Sequence, residues 1–528
     1  MSAFLRLQRA VRGTAEWVGR RPITEPVFPR LALSSWTASI RTRSRPVRQH
    51  VLVTAFRNRT WIEWAVYATC HLRRLGVATT LVYSGSEVRS VYPLHRVPGA
   101  SSLGFWAGVA EIPDVRLVDL DDWTPNPEER ERYSAFAREF APTVAAYDLH
   151  VEENEEGPRA HAYRRAVERA QGLLAETGAA LDSILRENPV SRLICYSGLI
   201  GRSPALQEAA RRAGVTVLTV EGWAWRPGHM ICNLNAPALE YNLEGWLRAT
   251  DTWDEKRERA TDRLLRFQEG ALPRAEAAAF EMHSVQRTAT SAPLPAALAA
   301  FRERPGACFL LATNVVGDSS MLRRDPLFRS QRDWLRQTIA FFRERPGLRL
   351  IVRAHPDEAF IRRKVVVRMG EVARELTAGL PNVFVIGGDE DVSSYALMPG
   401  LAGGLVWISS IGADMVARGI PVVAAARPKY HGLGLVEEPR TIPAYWSEVE
   451  RLAATASAPT EEQRAGARRY LDLVFSQFSF EAFSPSYRAH DLFLEGPGAP
   501  PDAEVFYRIV AGDLPPETPP GRETRRVA

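Results

Sequence analysis

A chain of 528 residues exceeds one ordinary hydrophobic core and predicts two large domains with additions. Its 45% hydrophobic and 24% charged content is that of a soluble globular protein, and no apolar run approaches the roughly 20 residues of a membrane span. The overall charge of +5 hides a split: residues 1–50 carry ten arginines against Glu16 and Glu25, which leaves the body slightly acidic and excludes nucleic acid as its partner.

The leader from Phe4 to Val18 alternates apolar residues with Arg6, Arg9 and Arg12. That pattern fits a basic amphipathic helix lying on an acidic membrane surface, and it equally fits a basic tail docked on its own protein. It lacks the apolar centre of a signal peptide, so the expected location is cytoplasmic, with peripheral contact at the inner face of the membrane through residues 1–48. Cys70, Cys195, Cys232 and Cys308 form no C-x-x-C pair and no zinc spacing, and read as buried free thiols in a reducing compartment. Lys256, Lys364 and Lys429 are the only lysines.

The first domain opens on His50-Val-Leu-Val-Thr-Ala-Phe56, a buried strand, followed by a helical pattern from Trp61 to Leu75 and a strand from Ala78 to Tyr83. This order implies a right-handed parallel unit, and the loop Arg57-Asn58-Arg59-Thr60 stands at a strand end where it could face a ligand. Val115–Leu120 is a further strand ending in Asp119-Leu120-Asp121-Asp122. A D-x-D can hold a divalent ion, but a helix cap by Asp121 or Asp122 is the simpler reading. Residues 125–188 read as a helical insertion interrupted at Pro142 and at Gly157-Pro158.

Arg192–Gly198 is a strand ending in Ser197 and Gly198, small residues on the side expected to face an acceptor. After the helix Ser203–Ala213, the strand Val215–Val220 ends in Glu221-Gly-Trp223-Ala-Trp-Arg226. Aromatic faces suit sugar rings, and a partly desolvated Glu221 is raised toward the pKa a general base needs. The plainer alternative is a surface pair of Glu221 with Arg226. Residues from about 270 to 306 form helix plus linker.

The second domain alternates strands at Cys308–Thr313, Leu348–Ala354, Val383–Ile386, Leu405–Ile408 and Val422–Ala426 with helices, a doubly wound pattern whose ligand site is expected at the carboxyl ends of the strands. Two strand ends carry chemistry. His355 projects ahead of Pro356, which starts a helix, and an imidazole there can donate to a phosphate oxygen or protonate a departing phosphate. Ser409-Ser410-Ile-Gly412 leads into a helix whose N–H groups and hydroxyls suit a phosphate, Gly412 allowing close approach; the alternative is ordinary capping by Ser410. Helices continue to about Phe478, and the proline-rich tail from Gly496 reads as loose at its end.

Arg353-x-His355-Pro356, then Ser409-Ser410-x-Gly412-x-Asp414 with Gly419-x-Pro421-Val, then Tyr430 with Gly432 and Gly434, resembles the carboxyl-terminal domain of bacterial capsule polysaccharide biosynthesis proteins. The loop Ala312-Thr313-Asn314-Val-Val-Gly-Asp318 fits the same group. That group includes transferases using CMP-activated acidic sugars and is similar to the CDP-glycerol glycerophosphotransferases. The resemblance covers roughly residues 305–480. It implies an α/β, GT-B-like fold: two Rossmann-like doubly wound domains facing a cleft, with no metal and no cofactor beyond a nucleotide-sugar donor substrate.

By the same resemblance His355 contacts the donor phosphate, Ser409 and Ser410 bind its phosphate or carboxylate, and Arg353 supports that charge. Thr313, Asn314, Pro356, Gly412, Asp414 and Tyr430 complete the donor side, although many relatives have Glu where this chain has Asp414. Neither a Gln-x-Ser signature nor an acidic pair before glycine is present, which leaves the donor open.

The expected organisation is a basic segment 1–48, an acceptor-side domain 49–290, a nucleotide-donor domain 305–480 and an extension with a proline-rich tail, 481–528. The expected activity is glycosyl transfer from a nucleotide-activated sugar to a glycan or lipid-linked acceptor in capsule or surface polysaccharide biosynthesis. Transfer of a polyol phosphate from a CDP-alcohol, or a non-catalytic role in capsule assembly or export, are the alternatives.

Overall fold

The computed structural model describes residues 37–41, 45–56, 59–91, 109–157, 159–222, 229–240, 243, 245, 247, 253–271, 294–360, 366–455, 457–477, 479–481 and 501–514. The leader pattern 4–18, Arg57-Asn58, Trp223, Arg226 and the tail prolines from 515 onward lie outside the described residues.

The apolar runs of the first half build one sheet from β1 (Gln49–Ala55), β2 (Val77–Tyr83), β3 (Val115–Asp119), β4 (Arg192–Tyr196), β5 (Thr216–Gly222), β6 (His229–Leu234) and β12 (Phe480–Glu481). Its order is β12-β6-β5-β4-β1-β2-β3. β1 to β5 pair in parallel, whereas β6 and β12 join antiparallel at one edge. The second sheet holds β7 (Cys308–Ala312), β8 (Arg349–Arg353), β9 (Val383–Ile386), β10 (Gly403–Val406) and β11 (Val422–Ala424), all parallel, in the order β11-β10-β7-β8-β9. Each sheet therefore reverses its winding once, between β1 and β4 and between β7 and β10. Such reversals leave a crevice beyond the carboxyl ends of the strands. This is the two-domain Rossmann-like architecture expected from the alternating pattern.

Buried parallel strands need apolar residues on both faces, and β7 and β8 are buried throughout. Arg349 is tolerated at the start of β8 because its guanidinium donates to the carbonyls of Phe301, Arg302 and Gly306 at 2.6–2.9 Å. All four cysteines are buried free thiols.

The insertion is helical over Pro127–Glu131, Ser134–Leu149 and Ala160–Glu187. Pro142 does not interrupt it as expected; it sits inside Ser134–Leu149, and the break falls after Leu149, where His150 takes a left-handed φ of 52°. The insertion also grips the second domain. Glu152 and Glu155, both buried, pair with Arg332 at 3.0 and 2.5 Å, and Glu139 pairs with Arg323 at 2.7 Å.

Of the carboxyl-terminal extension, residues 501–514 are described, and the end expected to be loose lies outside the described residues. Helix Pro501–Val510 seats buried Phe506, Tyr507, Ile509 and Val510 on the first domain, with Tyr507 stacked on His71 at 4.7 Å between ring centroids. Arg48 and Asp513 close it with a bidentate pair at 2.6 and 2.8 Å.

Candidate active site

The second switch point gathers three of the expected segments. β7 runs into Thr313, whose N–H donates to the Arg353 carbonyl at 3.1 Å and whose Oγ1 accepts from the His355 N–H at 3.3 Å. Beyond His355 the chain turns at Pro356 into one helical turn, Asp357–Phe360, and the Asp357 N–H donates to His355 Nδ1 at 3.1 Å. With the Nδ1 lone pair engaged, the proton of the neutral ring belongs on Nε2. The ring is about a quarter exposed, at 24%. His355 thus presents a donor rather than an acceptor to anything bound there.

Asn314 extends the same chain of contacts to the other side. Its Oδ1 accepts from the Ile408 N–H at 3.3 Å, just ahead of Ser409-Ser410, while its own N–H donates to Gln331 at 2.6 Å. Since β8 and β10 flank β7, the ends carrying His355 and Ser409 stand two strand spacings apart, about 10 Å. Both lie on one rim.

Several expected donor-side residues do other work. Arg353 is buried and turns away from the rim; its guanidinium donates to the carbonyls of Gly387 and, at 3.0 Å, Val392, and burial pushes its pKa down to about 10. It locks the loop after β9 and supports no ligand charge. Asp414 is 1% exposed, accepts from Gln268 Nε2 at 2.9 Å, and burial raises it to about 6. It anchors helix Glu255–Gln268 and grips no ribose.

Gly412 serves packing rather than phosphate approach. A Cβ there would lie 2.0 Å from the Tyr430 hydroxyl, which donates to the Ser409 carbonyl at 2.8 Å. Tyr430 is fully buried and therefore holds Ser409 instead of touching a ligand. Ser410 begins the seven-residue helix Ile411–Ala417 but makes no capping bond with its side chain, so the simple capping alternative is not realised. Pro356 precedes the helical turn rather than occupying its first position.

On the acceptor side, Ser197 and Gly198 are buried at a turn with φ of 59° and 84°, and Gly198 is hemmed in by Pro237 at 3.0 Å from a notional Cβ. They close β4 against the following segment, where the Ser197 carbonyl accepts from the Ala238 N–H at 2.8 Å, and the Ser197 hydroxyl lies beside Glu221. Asp119, not Asp121 or Asp122, caps the short turn after β3; Asp121 accepts from Ser84 and Ser86. Among the described residues no group of three His, Cys, Asp or Glu could hold a metal ion.

Glu221 ends β5 at the junction of the domains. Its Oε1 accepts from Ser319 Oγ at 3.0 Å and from the Tyr196 hydroxyl at 3.5 Å, while Oε2 is buried without a hydrogen-bond partner. Burial drives its pKa up to about 7 and Asp318 adds to this; the Ser319 and Ser197 hydroxyls and Lys429 pull it down. Lys429, half-buried, is pushed down to about 8 by desolvation and by Arg324, against the pull of Asp318 and Glu221. Lys429 borders an interdomain cavity of about 1110 Å³ with Glu240, Arg427, His431 and Arg469.

Ser319 and Lys429 were not singled out in the sequence. Ser319 lies in the loop that begins at Thr313, and Lys429 is one of three lysines in an arginine-rich chain, adjoining Tyr430; that rarity was the available signal.

Residues 269–460 match the family described as capsule polysaccharide biosynthesis protein. No curated protein matches the chain by sequence. Among solved structures, the KpsC β-Kdo 2,7 transferase of Thermosulfurimonas dismutans is similar over 60% of this chain and 89% of its own, at 13% identity and TM-score 0.33. The KpsC β-Kdo 2,4 transferase of the same organism is similar over 54% and 88%, at 16% identity and TM-score 0.33. The UDP-GlcNAc 2-epimerase of Neisseria meningitidis is similar over 80% and 99%, at 11% identity and TM-score 0.25. Residues 269–460, the segment that carries β7 to β11, His355 and the Ser409-Ser410 turn, are thus similar to the capsule polysaccharide biosynthesis protein family.

Proposed function

We propose that the chain is a glycosyltransferase of capsule or surface polysaccharide assembly, moving a sugar from a nucleotide-activated donor to a glycan or lipid-linked acceptor. One observation supports this most: the loop Thr313–Ser320 bonds His355 at its start and Glu221 near its end, linking the rim of the second domain to a buried carboxylate of the first.

In this reading the donor phosphate lies against His355 Nε2–H, with the Ser409 and Ser410 hydroxyls as further donors. As the bond from the sugar carbon to the phosphate oxygen breaks, those donors stabilise the charge growing on that oxygen. Glu221 Oε2 takes the proton of the acceptor hydroxyl as its oxygen bonds to the sugar carbon. The basic leader, residues 1–48, would hold the protein at an acidic membrane surface near a lipid-linked acceptor; among the described residues no helix is long and apolar enough to cross a membrane.

The test is incubation of the full chain with CMP-, UDP- and GDP-linked sugars and CDP-glycerol, following nucleotide release and the phosphorus content of the product. Glycosyl transfer gives a product bond without phosphorus. If no donor turns over and nucleotide binding is the same in His355→Ala as in the wild type, the reading fails.

A further inference from the structure

The insertion of the first domain meets the second at the start of helix Gln331–Arg343. Ser330 caps that helix, its Oγ accepting from the Asp333 N–H at 3.1 Å. The two amides before it are taken by Glu152 of the insertion, whose Oε1 accepts from the Gln331 N–H at 2.5 Å and from the Arg332 N–H at 3.4 Å. Glu153, the next residue, accepts from the Arg323 N–H at 3.1 Å. A helix end that needs acceptors is thus supplied from the other domain.

The side chains of Glu152 and Glu155 are only 7% and 2% exposed against Arg332. Burying such charges adds little net stability, because desolvation offsets most of their attraction; what a buried ion pair can do is fix one register. Here it fixes where Gln331 stands.

Gln331 is fully buried, and its side chain spans both backbone groups of Asn314: Oε1 accepts from the N–H at 2.6 Å and Nε2 donates to the carbonyl at 3.1 Å. Asn314 Oδ1 accepts from the N–H of Ile408, one residue before Ser409, and Thr313 on its other side holds the His355 N–H. Asn314 therefore bridges the two strand ends that carry His355 and Ser409-Ser410, and Gln331 grips the bridge by its backbone. Three residues further on, His150 of the insertion presses on the same loop and leaves no room for a side chain at Gly317.

We propose that Gln331 is a positioning residue: it sets the spacing between His355 and the Ser409-Ser410 turn, and Glu152 carries that control across from the first domain. Donors that must converge on one ligand tolerate little misplacement, so a rim held from both domains is pre-organised only while they are clasped. That the rim holds a donor nucleotide rests on the transferase reading; that Gln331 sets its spacing does not.

The test is site-resolved hydrogen exchange on the full chain, with calorimetry against CMP, UDP and GDP. In Gln331→Met the Ile408 amide is expected to exchange roughly tenfold faster, with a smaller rise at His355, while the β7 amides of Phe309–Leu311 keep their wild-type rates. Glu152→Ala moves the same two amides several-fold, and it carries the test from the first domain should Gln331→Met not fold. Glu152→Gln, which keeps an acceptor for the Gln331 N–H, restores them. Whichever nucleotide binds the wild type binds Gln331→Met roughly tenfold more weakly.

Wild-type exchange at Ile408 in Gln331→Met, equal acceleration of the rim and the β7 amides, or wild-type exchange in Glu152→Ala overturns the proposal. If the rim amides respond as expected but none of the three nucleotides binds the wild type, the transferase reading fails and the positioning role stands. If nucleotide binding depends on His355 while the rim amides ignore Gln331, the reverse holds.

Discussion

Ser319 Oγ donates to Glu221 Oε1 across 3.0 Å, joining the loop after β7 to the end of β5 in the other domain. The second carboxylate oxygen is left buried and without a hydrogen-bond partner, an arrangement that costs stability and therefore calls for a use.

Glu221→Gln tests that use. A base with its pKa at about 7 must be ionised to act, so kcat/KM should fall as pH drops below about 7. The variant should lose about 10²- to 10⁴-fold in turnover, together with that acid limb. Stability moves the opposite way. Between 4.5 and about 7 the folded state holds more protons than the unfolded one, so wild-type stability should fall as pH rises through that window and level off above it. The shift corresponds to about 3 kcal/mol, and a series of Tm values against pH should show the slope in the wild type and not in the variant.

Lys429→Met should move the acid limb of the pH–rate profile upward, because the ammonium lowers the Glu221 pKa. An unmoved limb would show that the two groups are not coupled.

His355→Ala should weaken nucleotide-donor binding by about 10- to 100-fold, the range of a hydrogen bond to a charged group. Thr313→Val, which removes the acceptor for the His355 N–H but leaves the ring bonded to the Asp357 N–H, should cost only a few-fold. Calorimetry with the donor nucleotide separates the two, and equal binding in His355→Ala would remove it from the site.

Gly412→Ala should destabilise the second domain by about 1–3 kcal/mol, since the added methyl meets the Tyr430 hydroxyl at 2.0 Å. Tyr430→Phe should cost about 1 kcal/mol by releasing the Ser409 carbonyl. Denaturant unfolding measures both. Neutrality of Gly412→Ala would mean that Tyr430 can move aside.

Arg332→Ala leaves Glu152 and Glu155 buried without their cation, and should cost about 3–5 kcal/mol. Replacing both glutamates by glutamine in the same chain should recover most of the loss. If the triple variant is no more stable than Arg332→Ala alone, the unpaired carboxylates are not the cause.

The parallel strands were legible because a strand buried on both faces has few choices of residue, and β9 falls where its apolar run lies. β10 lies two residues earlier than its apolar run suggests. Gly403 and Gly404 open it, and they are required because side chains there would meet Phe309 at 2.9 Å and Met415 at 2.4 Å. β6 escaped notice because it follows Pro227-Gly228 and carries His229 and Asn233, and a two-residue strand such as β12 has no pattern to find.

At the site, His355 and Ser409-Ser410 were readable as small or ionisable residues that stop apolar runs. Arg353 and Asp414 were placed on the donor side only by the resemblance, and both side chains turn into the protein. Local sequence does not say whether a charged side chain at an element's end meets solvent or folds back on carbonyls and amides, and here both fold back. Ser319 was invisible for another reason: its partner Glu221 is 98 positions away.

β12 pairs with β6, and helix Pro501–Val510 covers the helix Arg59–Arg74, so these late segments finish what the first ones begin. On the ribosome the amino-terminal sheet is consequently the later of the two to be completed, since the second domain is fully synthesised before the final strand emerges. Until then the edge of β6 is exposed to any other nascent strand, and a chain cut short after the second domain should be prone to aggregate through that edge.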